Sequence, residues 1–133
     1  MYLVDTSVWV DFFNARSVPH VERLKRLLLA GAGVGLTPAI YQEILQGALD
    51  EARFRRFRDY FSSQSFYLPL NPVESHAAAA RIYYDCRRKG IPIHSTIDCL
   101  IAQIAIEHDL ILLHNDRDFE RIAEVASELK LEA

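Results

Sequence analysis

Short apolar runs alternate along the chain with longer stretches in which apolar residues recur every three or four positions. The first pattern predicts buried strands and the second predicts amphipathic helices. Strands are predicted at YLVD, GVGL, SFYLPL, LILLH and LKLE, and helices at TSVWVDFF, HVERLKRLLLA, AIYQEILQG, DEARFRRFRDYF, residues 71 to about 89, HSTIDCLIAQIAIEH and DFERIAEV. Because strands and helices alternate, we expect an α/β fold with a mostly parallel central sheet and helices on both faces.

Residues typical of helix ends mark several of these boundaries. Thr6 or Ser7 is expected to cap the first helix, and Thr37 precedes Pro38, which suits the first position of a helix. No repeat or Pro/Ser-rich linker divides the sequence, so we expect residues 1–133 to form one domain. In a parallel sheet of this kind, ligands bind beyond the carboxyl ends of the strands.

The helix predicted over residues 94–108 is apolar almost all the way round, yet it carries Asp98 on its dry side. Gln103 and Glu107 define its polar face, and at about 100° per residue Asp98 lies roughly 160° from the centre of that face. A capping role is one explanation, because Ser95 and Asp98 fit the spacing of a capping box. An acid in a first turn also suits the helix dipole.

Three more acids occupy positions that surface solvation does not explain. Asp5 ends the apolar run YLV, and Asp116 follows LILLH after one residue, so both fall at the carboxyl ends of predicted strands. Glu43 projects from the inward stripe of its helix, between Ile40 and Gly47. Asp5 and Asp116 can also cap the elements that follow them, and Glu43 can meet a core arginine.

A shared cation is the simplest explanation for all four acids together. A lone buried carboxylate costs several kcal/mol unless it is paired, and four near one sheet edge repel one another. Oxygen ligands without thiolates or a histidine pair favour Mg²⁺ or Mn²⁺ over Zn²⁺. Such a cation can make a bound water nucleophilic and neutralise a phosphodiester during in-line attack. The sequence therefore predicts catalytic residues Asp5, Glu43, Asp98 and Asp116, with Asp5, Asp98 and Asp116 as the metal ligands.

Composition limits the cellular setting and the partners. The chain has 133 residues, of which 50% are hydrophobic and 25% charged, so it can bury a sizeable core. The longest apolar stretch, LLLAGAGVGL, is too short to span a membrane, and the first residues lack the pattern of a signal peptide. Cys86 and Cys99 show no metal-binding spacing. We expect a cytoplasmic protein without membrane association. Its net charge of −3 restricts nucleic-acid binding to local patches.

The chain resembles PIN-domain ribonucleases, and most of all the VapC-type toxins of prokaryotic toxin–antitoxin pairs. The stretches that carry the resemblance are YLVDTSVWVDFF, PAIYQEILQG, IDCLIAQIAIEHDLILLHNDRDFERIA and the terminal LKLE, which together span essentially the whole chain. The resemblance implies a PIN fold and endonucleolytic cleavage of RNA that depends on Mg²⁺ or Mn²⁺. It also implies a homodimer and inhibition by a small cognate VapB-like antitoxin.

Carried over residue by residue, the acidic quartet of the family falls on the four acids already selected: Asp5, Glu43, Asp98 and Asp116. Ser7, with Thr6 beside it, matches a small hydroxyl residue near the site. His114 stands where the family usually has Thr or Ser, two residues before the last acid. This departure leaves the metal ligands intact but removes the hydroxyl that makes a supporting hydrogen bond. His114 is itself a candidate hydrogen-bond donor or general base, with a packed neutral histidine as the alternative.

A basic cluster is the main further candidate for nucleic-acid binding. Arg53, Arg55, Arg56 and Arg58 share one predicted helix with four aromatic residues. The arginines are candidates for binding RNA phosphates. The alternative interpretation is a solvated helix face whose aromatic residues belong to the core or to a dimer contact.

Two other functions are also compatible with the sequence. A phosphatase-like hydrolase would use Asp5 as its nucleophile, but VDTSV lacks a second acid two residues on, and Glu43 then has no role. A non-catalytic α/β protein would instead use its acidic cleft to hold a basic segment of a partner. RNA cleavage by partner-free protein with Mg²⁺, stopped by a chelator, distinguishes these functions.

Overall fold

A computed structural model describes residues 1–132, in which five strands form one sheet. The elements in chain order are β1 (Tyr2–Val4), α1 (Thr6–Phe13), α2 (Pro19–Leu29), β2 (Val34–Leu36), α3 (Pro38–Gln46), α4 (Glu51–Ser62), β3 (Ser65–Phe66), α5 (Pro72–Arg88), α6 (Thr96–Glu107), β4 (Ile111–Leu113), α7 (Arg117–Ala123) and β5 (Lys130–Glu132). Every strand pair is parallel. The predicted α/β fold is confirmed, with a sheet that is parallel throughout.

The strand order β3-β2-β1-β4-β5 places a topological switch point between β1 and β4. From β1 the chain builds β2 and β3 on one side, and it later adds β4 and β5 on the other. A crevice opens at the carboxyl ends of the two strands that flank such a point. The backbone N–H of Asp5 donates to the carbonyl of Leu113 at 3.0 Å, which fixes the end of β1 against the end of β4.

Two details of the local prediction are wrong. The cap of α1 is Asp5 and not Thr6 or Ser7, because the Asp5 carboxylate already satisfies the free backbone N–H of Ser7. The predicted strand SFYLPL is paired only at Ser65–Phe66. The backbone N–H of Tyr67 still donates to the carbonyl of Leu36 in β2, and beyond it the backbone bonds to the side chains of Glu107 and His108 at the end of α6. The Thr37 cap of α3, with Pro38 in the first helical position, is confirmed.

Large apolar side chains join the helices to the sheet. Trp9 of α1 packs edge-on against Phe61 of α4, with their ring centroids 4.9 Å apart, and both rings are buried. Leu3 of β1 and Leu112 of β4 are fully buried beneath the helices. No helix within residues 1–132 is long and apolar enough to cross a bilayer.

Candidate active site

Asp5 is both a helix cap and part of the crevice. It follows β1, is 4% exposed, and accepts hydrogen bonds from the backbone N–H of Ser7 at 3.0 Å and from the Ser7 hydroxyl at 2.7 Å. Both bonds fall on Oδ2, so capping engages one of the two carboxylate oxygens. Burial raises the pKa of Asp5, although the two Ser7 hydrogen bonds act to lower it, and the charge of Asp116 raises it further.

Asp98 is not a capping residue. Ser95 at the N-cap of α6 makes no side-chain capping bond, and its backbone N–H donates to Asp118 Oδ2 at 3.1 Å. Asp98 is 5% exposed, and its Oδ2 is buried without a hydrogen-bond partner in residues 1–132. Such an orphaned oxygen needs a proton or a cation to offset its lost hydration.

Electrostatic crowding acts on the Asp98 carboxylate. Burial, followed by the negative charges of Asp5, Asp116, Asp118 and Glu43, raises the pKa of Asp98 to about 8. All four acids predicted from the sequence are therefore close enough to influence one another. The structure brings them together at the switch point.

Glu43 and Asp116 complete this group from opposite sides. Glu43 on α3 accepts a hydrogen bond from the Thr6 hydroxyl at 2.8 Å, so its partner is a hydroxyl and not a core arginine. Burial raises the pKa of Glu43, although this hydrogen bond acts to lower it, and the charges of Asp5 and Asp116 raise it further. Asp116 is half-buried and caps α7, because its Oδ1 accepts from the backbone N–H of Asp118 at 2.9 Å.

Three carboxylates converge closely enough to share a cation. Asp98, Asp116 and Asp118 each offer an oxygen, and these oxygens lie within 4.8 Å of one another. The neighbouring Cys99 is 1% exposed, and burial raises the pKa of its thiol to about 12, so it offers no thiolate. Hard oxygen donors, together with the orphaned oxygen of Asp98, fit a hard divalent cation.

Polar side chains around the acids hold the crevice in place. The Ser7 hydroxyl donates to Asp5 and accepts from the backbone N–H of Asn115 at 2.9 Å, which ties α1 to the loop after β4. His114 accepts from the backbone N–H of Asp116 at 3.2 Å through Nδ1, so the imidazole makes a hydrogen bond to the backbone of this acid. Burial lowers the pKa of His114 despite the acids around it, which favours the neutral ring.

Asp118 is the acid that the sequence analysis missed. It is 1% exposed, and its Oδ2 accepts from the backbone N–H groups of His94 at 2.8 Å and Ser95 at 3.1 Å. The ring Nδ1 of His94 lies 3.1 Å from Oδ1 of Asp118, and the Arg121 guanidinium donates to the same oxygen at 3.1 Å. Burial alone would raise the pKa of Asp118, but these hydrogen bonds outweigh it and lower the pKa. A charged Asp118 therefore anchors the loop that leads into α6 and to Asp98.

Comparison with known proteins identifies the family. The family model for the PIN domain matches residues 2–125. The chain belongs to the PIN-domain family. It is 36% identical over 128 residues to the VapC ribonuclease Mb1587 of Mycobacterium bovis, with 96% of this chain and 95% of that protein covered. Ribonuclease VapC51 of Mycobacterium tuberculosis is 30% identical over 127 residues, with 96% and 88% covered. The predicted resemblance is confirmed.

Solved structures share the fold of this PIN domain. A chain of VapBC2 from Rickettsia felis, solved with a DNA fragment from its promoter, matches with a TM-score of 0.73 at 20% identity and covers 98% of this chain and 96% of its own length. A chain of VapBC-1 from nontypeable Haemophilus influenzae matches with a TM-score of 0.72 at 20% identity, with the same coverage. At this level of identity the likeness concerns the fold.

The basic helix of the PIN domain presents its arginines to solvent. Arg55 pairs with Glu51 at 3.3 Å, and Arg53 lies 3.7 Å from Asp50, both as exposed pairs that contribute little to stability. Arg53 and Arg56 line a cavity of about 330 Å³ together with aromatic side chains, and none of the four predicted acids lines it. RNA binding by Arg53, Arg55 and Arg56 stays a prediction.

We expect Asp98→Asn to stabilise the metal-free protein increasingly as the pH rises from about 4 to about 8. Between the unfolded pKa near 4 and the folded pKa of about 8, the folded wild type holds one more proton than the unfolded chain. The free energy of unfolding of the wild type therefore falls as the pH rises, and Asp98 contributes up to about 1.4 kcal/mol per pH unit to this fall. Asp98→Asn has no titrating group at this position, so its stability does not fall in this way. Thermal melts of both proteins in chelator, at several pH values across this range, measure the difference.

The matched control is Asp109→Asn. Asp109 is an exposed acid whose pKa is lowered by its bond to Lys130, so this variant should gain no stability at any pH. A melting difference between Asp98→Asn and wild type that does not grow with pH would contradict the buried, crowded state of Asp98.

We expect Asp118→Ala to lower the free energy of unfolding by about 2 kcal/mol, because it leaves two backbone N–H groups and Arg121 without their charged acceptor. Amide NMR signals of residues 94–98 should also shift or broaden. Glu124→Ala, at an exposed position after α7, is the control and should change stability by less than about 0.5 kcal/mol. Unchanged stability and unchanged signals in Asp118→Ala would exclude the anchoring role.

Proposed function

We propose that this PIN domain is a metal-dependent endoribonuclease that acts as the toxin of a toxin–antitoxin pair. The observation that carries the proposal is the buried, unpaired Oδ2 of Asp98 among several other acids at the switch point of the sheet. The names of the VapC ribonucleases that share 30% and 36% of its sequence support the same function. Hydrolysis of an RNA phosphodiester is the reaction class.

Mg²⁺ or Mn²⁺ is the proposed cofactor, held by Asp5, Asp98 and Asp116. When bound, such a cation supplies a water of lowered pKa and neutralises charge that develops on the phosphate. Asp98 is the ligand most changed by binding, because its carboxylate must release the proton that it holds in the crowded metal-free crevice. Asp118 is already committed to the loop before α6, so we assign it the positioning of Asp98 and not the binding of the cation.

The remaining side chains orient these ligands and handle the proton. Ser7 makes both of its hydrogen bonds to Oδ2 of Asp5, so Oδ1 is the carboxylate oxygen that remains available to other partners. Thr6 engages Oε1 of Glu43 and leaves Oε2 as the atom able to accept a proton from the attacking water. The raised pKa of Glu43 brings this carboxylate closer to the working pH of a general base.

The partners follow from the same assignment. The structures from Rickettsia felis and Haemophilus influenzae that share this fold are VapBC complexes, which supports a VapB-like antitoxin as the partner. A homodimer and a cytoplasmic location stay predictions. The alternative, in which the acids hold a basic segment of a partner, makes a different prediction: the isolated chain does not cleave RNA.

Purified, partner-free protein should cleave RNA with Mg²⁺ or Mn²⁺ and stop when the metal is chelated. Asp5→Asn and Asp98→Asn should each slow cleavage by at least about a hundredfold, since each removes a preorganised charge from the reaction centre. Asp109→Asn is again the control and should cleave at the wild-type rate. Cleavage is followed on labelled RNA, and circular dichroism verifies that each variant is folded.

Three outcomes would contradict the proposal. Cleavage that persists in chelator would exclude a metal requirement. A wild-type rate in Asp98→Asn at saturating Mn²⁺ would exclude Asp98 from the metal ligands. Folded protein that cleaves no RNA would favour the alternative of a non-catalytic binding protein.

A further inference from the structure

A cavity of about 820 Å³ opens beside the acidic crevice. His20 at the start of α2 lines one wall. The other wall is lined by His114, Asn115 and Asp116 of the loop after β4 and by Arg117 at the start of α7. Its volume is within the range of about 300–1,000 Å³ that is typical of sites for small organic ligands. Because Asp116 belongs to both the cavity and the crevice, anything bound in the cavity lies next to the reaction centre.

His20 is held in one orientation by a buried acid. Its Nε2 lies 2.7 Å from Oδ2 of Asp11 on α1, and the two side chains are only 13% and 11% exposed. Arg16 engages the other oxygen of Asp11 at 3.3 Å, which fixes the carboxylate in turn. Since Asp11 accepts the proton of Nε2, Nδ1 is the ring atom of His20 that is available to a ligand.

The opposite wall offers complementary groups. The Nδ1 of His114 accepts from the backbone N–H of Asp116, so the neutral ring carries its proton on Nε2 and can donate it to a ligand. Arg117 is exposed and forms no ion pair within residues 1–132. Glu132, which also lines the cavity, is neutralised by Arg23. The cavity therefore combines two imidazoles and the uncommitted cation of Arg117 with the carboxylates of Asp116 and Glu120.

We propose that this cavity binds one ribonucleotide of the RNA strand, adjacent to the phosphodiester at the acidic crevice, and that His20 positions it. The proposal rests on the ribonuclease function proposed above. Arg117 suits a phosphate, whereas the imidazoles suit the hydroxyl and base edges of a splayed-out, single-stranded nucleotide. Asp11 is a positioning residue, because it acts on the ligand only through His20.

The variant His20→Gln separates this role from a purely structural tie between α1 and α2. A glutamine side-chain amide can still donate to Asp11 from nearly the same position as Nε2, but it has no atom that replaces Nδ1. His76→Gln is the matched control, since His76 is exposed on α5 and bonds only to the carbonyl of Pro72 in its own helix.

The binding test needs no cleavage. With metal chelated, each of the four ribonucleoside 5′-monophosphates is titrated into ¹⁵N-labelled wild-type protein, and the ring nitrogens of His20 and the guanidinium of Arg117 are followed by NMR. At least one nucleotide should shift both groups with a saturable curve, and His20→Gln should weaken that binding by about tenfold. Absence of a His20 shift with all four nucleotides, or an equal shift with inorganic phosphate alone, would overturn the proposal.

The kinetic test uses single-stranded RNA and saturating metal. Loss of one hydrogen bond to substrate in His20→Gln should raise KM by about tenfold and change kcat by less than about threefold. Asp11→Asn should show a smaller rise, and His76→Gln should behave as wild type. An unchanged KM in folded His20→Gln would overturn the subsite while leaving the ribonuclease function intact. Failure of the wild type to cleave RNA would instead overturn the ribonuclease function, and the binding test would still decide whether the cavity takes a nucleotide.

Discussion

The carboxylate of Asp98, buried on an apolar helix among other acids, is the constraint on which the rest of the site depends. Its unpaired Oδ2 and its pKa of about 8 show that the metal-free protein accommodates this group only at a cost in stability. Asn at this position would relieve the crowding but would lose an anionic oxygen. Retaining the acid is the kind of local strain that functional sites maintain at the expense of stability.

Sheet topology brings the acids together in one site. The reversal of strand order between β1 and β4 brings the ends of two strands that are more than a hundred residues apart in sequence to one crevice. Helix capping then orients the acids, because Asp5 and Asp116 each cap the helix that follows their strand with one oxygen. Capping and cation binding are therefore compatible roles for Asp5 and Asp116, whereas Asp98 caps nothing.

Much of the fold and four of the acids were predictable because they follow from local patterns. Strand ends marked Asp5 and Asp116, helical angles marked Asp98, and the inward stripe of α3 marked Glu43. Asp118 was missed although it lies four residues before the buried Ile122, on the inward face of α7. The pair of Asp11 and His20 was missed because a loop and a change of chain direction bring them together. Such contacts depend on how α2 packs against α1, which periodicity does not reveal.

The most direct test of the account is the stabilisation that Mn²⁺ gives to wild type and to Asp98→Asn. At a hundredfold excess over its dissociation constant, a cation that binds only the folded state contributes about 2.7 kcal/mol. At roughly 2–4 °C per kcal/mol, the wild type should melt several degrees higher in Mn²⁺ than in chelator. Asp98→Asn should gain much less. An equal gain in both proteins, or no gain in the wild type, would contradict the claim that Asp98 is buried to hold a metal.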